Sequence, residues 1–438
     1  MFTALDTLLP VLCICHKLGF AIVVGGEDGA VRLSRLSLWT CVLLCGCLGS
    51  TDMAQTDQGG PSPAPVTSSL PPPCKGTNPN VAFANGPHGM YVWRPSQQLL
   101  PYLISDVIGK DSTLCGASLV IAWADVETSK NVYDWSVVAA AAEPFTKANL
   151  TVNLLFADAP EGSNIVTPPW VTAPGSQGGD AVPTVTCPTD GTVTPVYFNS
   201  VYEADWIAFI AAAVQQFSYS NSPLAASVGY MRFGTAGGAE ALPPPNYNDN
   251  GPCEALWAAA GYSYDVWNTH EANIINAMGS QPTDKQLMVS LPNVGGGPNV
   301  YAVSNLGASL AASMHIGFSF ENLGVSNVAI PTSTPARCDP TAQIINLHWC
   351  QAYTNYVGQV PLAMQPITAT TNTKQATMDI NKLLQYALAN NIQIFELYPE
   401  EWLQADSPTS PGFDPTIQLN YQAALLAASL VLGATNGR

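Results

Sequence analysis

Val228-Gly-Tyr-Met-Arg-Phe-Gly-Thr-Ala-Gly-Gly-Ala-Glu240 is an apolar run that breaks into glycines and then delivers one carboxylate. A short run of this kind, bounded by glycines, suits a strand buried on both faces. A parallel barrel strand that hands an acid to a cleft at its C-terminal end has this form. Asn391-Ile-Gln-Ile-Phe-Glu-Leu-Tyr-Pro-Glu-Glu-Trp402 repeats the theme, with acids and aromatics following an apolar strand pattern.

Six further runs complete a series. They are Gly89–Trp93, Ala117–Trp123, Leu150–Phe156, Gln286–Leu291, His315–Phe320 and Pro361–Gln365, with Val228–Phe233 and Ile392–Glu396 taking fourth and eighth place. Helical periodicity falls between most of them, over Tyr202–Gln216, Tyr264–Ala277 and Met378–Ala389, and a last helix over Ile417–Leu432 would close the ring. Strands alternating with helices predict an α/β fold, a (β/α)8 TIM barrel spanning residues 75–438. A doubly wound open sheet is the alternative, but no glycine fingerprint for a nucleotide is present. Long segments at 168–195, 241–252 and 330–341 would form loops on the catalytic face and build the walls of a cleft.

The chain has 438 residues, 47% hydrophobic and only 10% charged, with a formal net charge of −17 from 14 Lys+Arg and 31 Asp+Glu. No basic cluster occurs in the body, which argues against a nucleic-acid partner. The body has no His-Glu-x-x-His helix, no Gly-x-Ser-x-Gly elbow and no phosphate loop, so no metal or other cofactor is implied. His270-Glu271 reads as a surface or packing pair.

Residues 1–47 read as a targeting region. Two cations in Val31–Arg35 precede the apolar run Leu36–Cys47, which is too short to span a bilayer comfortably. Leu44-Cys-Gly-Cys47 resembles a bacterial lipobox, which implies lipidation at Cys47 and an exported, envelope-anchored protein; an ordinary secretory signal cut nearby and a retained anchor are the alternatives. Glu27 and Asp28 sit where a signal should be basic, so residues 1–30 read as an upstream extension. Residues 48–74, rich in Gly, Ser, Thr and Pro, read as a tether. Of 11 cysteines, six lie from Cys74 onward, an even number that favours disulfides in an exported chain; Cys187 with Cys253 and Cys338 with Cys350 are candidate pairs.

Ile121-Ala-Trp-Ala-Asp-Val-Glu127 with Asn131-Val-Tyr-Asp-Trp135, then Thr194-Pro-Val-Tyr-Phe-Asn199 with Tyr202 and Trp206, resemble clan-A-type, beta-galactosidase-like glycoside hydrolases over most of residues 80–435. The resemblance implies cleavage of a glycan by two carboxylates. Glu240 falls where such families place the general acid/base, although Ala239 stands where Asn is frequent. The nucleophile is expected on the seventh strand, but that strand ends in Gln365, leaving Glu396 on the eighth as the substitute and Glu321 on the sixth as second choice. The competing readings are a solvated loop acid for Glu240 and a structural ion pair with Arg232 for Glu396. Trp93, Trp123, Trp170, Trp349, Tyr398 and Trp402 are candidates for stacking on a sugar ring, while Trp135 and Trp206 suit the core. Asp125, Glu127, Asn199, Arg232, Glu321, His348 and Gln365 are candidate hydroxyl ligands. A catalytically silent barrel that binds glycan or cell-wall material is the second functional expectation.

Overall fold

The computed structural model describes residues 88–158, 166–173, 181–188, 191, 193–235, 252–291, 298–323, 352, 354–366, 368–372 and 379–435. Eight parallel strands close into a barrel: β1 Gly89–Trp93, β2 Leu114–Ala122, β3 Thr151–Ala157, β4 Val228–Phe233, β5 Gln286–Leu291, β6 Gly317–Leu323, β7 Leu362–Pro366 and β8 Ile394–Leu397. Each strand pairs with its sequence neighbours, and β8 returns to β1 through Gly89↔Ile394 to Val92↔Leu397. This is the (β/α)8 TIM barrel expected from the apolar runs. The boundaries move by up to three residues for local reasons. Trp123 leaves β2 to begin the short helix Trp123–Val126, and His315, at φ 58°, belongs to the turn before β6.

The crossover helices include α1 Ser136–Lys147, α2 Ser200–Phe217, α3 Tyr264–Gly279, α4 Pro298–Ser313 and α5 Ile380–Ala389. After β8 come α6 Pro399–Asp406 and α7 Gln418–Thr435. Their starts follow capping chemistry. The side chains of Asn199, Ser263 and Asp379 accept from the backbone N–H of Val201, Val266 and Lys382 at 2.9, 3.2 and 2.9 Å. Pro399 sits in the first turn of α6, where its missing N–H costs no helical bond. In α2, Tyr202, Trp206, Phe209, Ala213 and Phe217 recur at helical spacing and bury one face against the barrel. None of the helices among the described residues is long and apolar enough to cross a membrane.

Outward-facing strand residues such as Val92, Ile121, Phe156, Phe233 and Phe395 join the helices in one large core. The inward face holds a different set, with Tyr91, Cys115, Tyr230, Met288, Ala363 and Ile394 forming one packed layer. Inward and outward residues therefore alternate, but β4 departs from strict alternation. Val152 pairs with Val228 while Leu154 pairs with Met231, so β4 carries one extra residue. The bulge lets Val228, Met231 and Phe233 all reach the outer core while Tyr230 and Arg232 enter the barrel. Gly229 lies at that bulge, where a Cβ would come within 2.6 Å of the Asn153 side chain. Gly116 allows a still closer approach: a Cβ there would lie 1.8 Å from the Thr151 carbonyl oxygen.

A disulfide joins Cys187 to Cys253 across a sequence separation of 66, as one expected pairing proposed. It ties the hairpin Thr184–Thr186 with Val193–Pro195 to the helix Pro252–Ala259. Cys115 is also disulfide-bonded. Cys338 and Cys350 lie outside the described residues.

Candidate active site at the C-terminal mouth of the barrel

Arg232, the penultimate residue of β4, points inward and meets Glu396, which β8 brings from the opposite end of the sequence. The guanidinium Nη1 donates to Glu396 Oε2 at 2.7 Å, and both side chains are 0% exposed. The Tyr230 hydroxyl donates to the other carboxylate oxygen, Oε1. The positive guanidinium balances the burial of a charge that would otherwise cost several kcal/mol. Burial and the charge of Glu396 push the phenols of Tyr91 and Tyr230 well above the ordinary tyrosine range. Tyr91 stands in register with Glu396 on β1 and donates its hydroxyl to the His88 carbonyl at 2.8 Å. Deeper in, the Ser118 and Tyr230 hydroxyls lie 3.1 Å apart, and Asn153 Nδ2 donates to Ser118 Oγ at 3.2 Å. A polar chain therefore runs from the middle of the barrel to Glu396.

Trp93 covers this pair. Its ring centroid lies 4.9 Å from the Arg232 guanidinium carbon, a cation–π distance, and only 4% of the residue is exposed. Leu155, Ala157 and Val166 pack beside the indole, with Tyr398 against them. Gln365, at the end of β7, donates from Nε2 to the Tyr398 hydroxyl at 3.4 Å. Its Oε1, with the hydroxyls of Ser290 and Ser319, is buried without a hydrogen-bond partner among the described residues. The barrel mouth thus gathers one carboxylate, one guanidinium, two aromatic rings and several open hydrogen-bonding atoms.

Of the residues picked from the sequence, Trp93, Arg232, Gln365, Glu396 and Tyr398 come together here. Several others are built into the frame. Trp123 is fully buried and meets Trp170, Tyr202, Trp206 and Phe209 edge-on or tilted, so it belongs to the outer core with no face open to a sugar. Trp170 and Trp402 are likewise buried in that core. Glu127 accepts from Trp123 Nε1 and from the Asn131 amide, both at 2.6 Å, and acts as a brace for that turn. Asn199 caps α2, and Asp125 is exposed on the short helix after β2. Glu321 lies within β6, with its side chain outside the description. Glu240, His348 and Trp349 lie outside the described residues. The pair His270 and Glu271 is wholly buried rather than superficial. His270 binds Glu203 and the Thr235 carbonyl at 2.8 and 2.7 Å, while Glu271, whose carboxyl burial pushes well above the usual range, has no hydrogen-bond partner among the described residues.

Two acids went unread in the sequence. Asp158, directly after β3, is buried, and desolvation lifts its carboxyl to about 6 despite a hydrogen bond from Tyr202 Oη at 3.0 Å. Glu401 on α6 is lifted to about 8, chiefly by burial, while the Thr370 amide donating to it at 2.6 Å works in the other direction. Asp158 ends the strand pattern Leu154-Leu-Phe-Ala-Asp158, which was a readable signal of an acid at a strand terminus. Glu401 follows Pro399 and Glu400 in the first turn of α6, where the sequence does not say which of two adjacent acids is buried.

No protein-family model and no curated protein sequence matches the chain. Among solved structures it is similar to endo-glycoceramidase II from Rhodococcus sp., at 11% identity and a TM-score of 0.41, covering 72% of this chain and 73% of that one. It is also similar to a glycosylated endo-beta-1,4-xylanase of glycoside hydrolase family 10 from Gloeophyllum trabeum, at 14% identity, TM-score 0.41 and coverage of 82% and 99%. A beta-galactosidase from the psychrophilic Marinomonas ef1 matches at 11% identity and TM-score 0.41, over 78% of this chain and 59% of that one. These are distant likenesses of chain path, and one barrel supports many chemistries.

Proposed function

We propose that the chain is a glycoside hydrolase that cleaves an oligo- or polysaccharide with a pair of carboxylates, Glu396 and Glu240. The observation that carries the reading is the buried Glu396 at the C-terminal end of β8, held by Arg232 and Tyr230 beneath Trp93. A carboxylate fixed in one orientation by two donors suits attack on, or stabilisation of, an oxocarbenium-like centre. Burial of such a group in a site with fixed dipoles strengthens its electrostatic effect. Glu240 follows β4 by seven residues and serves in this reading as the general acid and base, protonating the leaving oxygen. Gln365 and Tyr398 bind substrate hydroxyls at the rim, and Trp93 forms the apolar floor. The chain is exported and anchored through a lipidated Cys47, with residues 48–74 holding the barrel away from the membrane.

One observation favours the silent, glycan-binding alternative: Glu396 is wholly enclosed and both its oxygens are engaged. Hydrolysis of aryl glycosides and polysaccharides by the full chain, with Glu240→Gln and Glu396→Gln alongside, separates the two. The expected result is a loss of at least ~100-fold in each folded variant. Retained glycan binding with no turnover by the parent protein would establish the binding barrel instead.

A further inference from the structure

Beside the barrel mouth, the segments after β7 and β8 enclose a pocket of about 300 Å³. Tyr398 belongs to both places: it lines this pocket and packs against the cluster that holds Trp93. Phe413 also lines it, presented by a turn in which the Phe413 amide donates to the Ser410 carbonyl at 3.3 Å and Gly412 takes φ +81°. Glu400, Ser410, Thr371 and Asn372 line the same pocket. Glu400, which lines the pocket, has its Oε2 buried without a hydrogen-bond partner among the described residues, so the wall carries an unsatisfied acceptor.

The walls are braced from α6. Gln404 clamps the Phe413 side by donating to the Asp414 carbonyl at 2.6 Å and accepting from its amide at 3.0 Å. Glu401 clamps the β7 side by accepting from the Thr370 amide at 2.6 Å. A cavity shaped by side chains already locked in this way is preorganised for a ligand. Among the described lining residues there is no Lys, Arg or His, so none of them offers an anionic ligand a counter-charge beside the Glu400 carboxyl. Two aromatic side chains, a carboxyl group and hydroxyls around one cavity fit a ring that is apolar on its faces and rich in hydroxyl donors at its edge.

We infer that this pocket is a saccharide subsite that holds one uncharged sugar unit of a chain whose neighbouring units lie over Trp93. The inference rests on the glycan reading of the barrel mouth. Tyr398 and Phe413 flank the ring, and Glu400 accepts hydrogen bonds from its hydroxyls. A substrate therefore runs along the β7–β8 side of the mouth, and affinity grows with chain length until this pocket is filled.

The test is calorimetric titration of the full chain, and of Glu400→Ala and Phe413→Ala, with a ladder of neutral cello-, xylo- and manno-oligosaccharides from one to six units. Thermal unfolding verifies that the variants fold. In the parent protein the affinity should rise with length; in both variants the step gained at the longer lengths should shrink about tenfold, equivalent to about 1.4 kcal/mol. Variants that bind the whole ladder as the parent does would overturn the subsite and leave the glycan reading intact. Tighter binding of amino-sugar oligomers than of their neutral counterparts would overturn the assignment to an uncharged sugar. A parent protein that binds no member of either series would refute the glycan reading itself.

Discussion

Replacing Arg232 by methionine should destabilise the protein far more than a surface charge change, because it strands Glu396 in the barrel interior. At the observed separation of 2.7 Å, the attraction in an effective dielectric of about 20 is about 6 kcal/mol. Desolvation of the two ions offsets much of this, so the intact pair contributes little net stability. Removing one partner is different, because the desolvation cost of the other remains. The expected loss is about 3–5 kcal/mol, with a further loss of about 1 kcal/mol from the cation–π contact to Trp93. The double variant Arg232→Met/Glu396→Gln removes both charges and should recover most of that loss. Urea unfolding at pH 7, followed by tryptophan fluorescence for the four proteins of this cycle, gives the interaction term. A coupling of roughly 3 kcal/mol is expected, whereas additivity within about 0.5 kcal/mol would refute the buried pair. Tyr230→Phe, which removes one donor and no charge, should cost only about 1–2 kcal/mol.

Two other perturbations follow from the frame around the site. Glu401 has a carboxyl raised from 4.5 to about 8, so its contribution to stability is fully present below about pH 4.5 and is lost as pH rises through about 8. Glu401→Gln should therefore gain up to a few kcal/mol over the parent at pH 8.5 and lose that advantage near pH 4.5; parallel melting-temperature curves would show that the acid does not titrate there. Cys253→Ser opens the 66-residue separation closed with Cys187, for which chain entropy predicts a loss of about 4 kcal/mol. A reductant should lower the parent's melting temperature toward that of the variant, and an unchanged midpoint in Cys253→Ser would exclude a structural role for the bond.

Much of the barrel was legible because each strand is a local pattern. Runs such as Gly89–Trp93, Val228–Phe233 and Gln286–Leu291 are apolar on both faces, and both faces of a parallel barrel strand are covered. The site was legible in part. Arg232, Gln365, Glu396 and Tyr398 stood out as polar or aromatic residues in or directly after apolar strands. Trp123, Trp170 and Trp402 carried the same apparent signal and went to the outer core instead. Trp123 leaves β2 for a helical turn, and from that point strand alternation no longer says which way a side chain faces. The bulge at Gly229 had a comparable effect in β4, changing which residues share a face.

The sequence by itself determined the eight strands and the helices that alternate with them, because these depend on neighbours a few residues apart. Only the tertiary structure decided that Arg232 meets Glu396, 164 residues away, with Tyr230 on the second oxygen and Trp93 above. It also decided that Tyr398, Glu400 and Phe413 line one pocket. Barrel closure and the folding of α6 against the loop after β7 set these distances, and a charge or ring acquires its role from the groups that such long-range packing brings within a few ångströms of it.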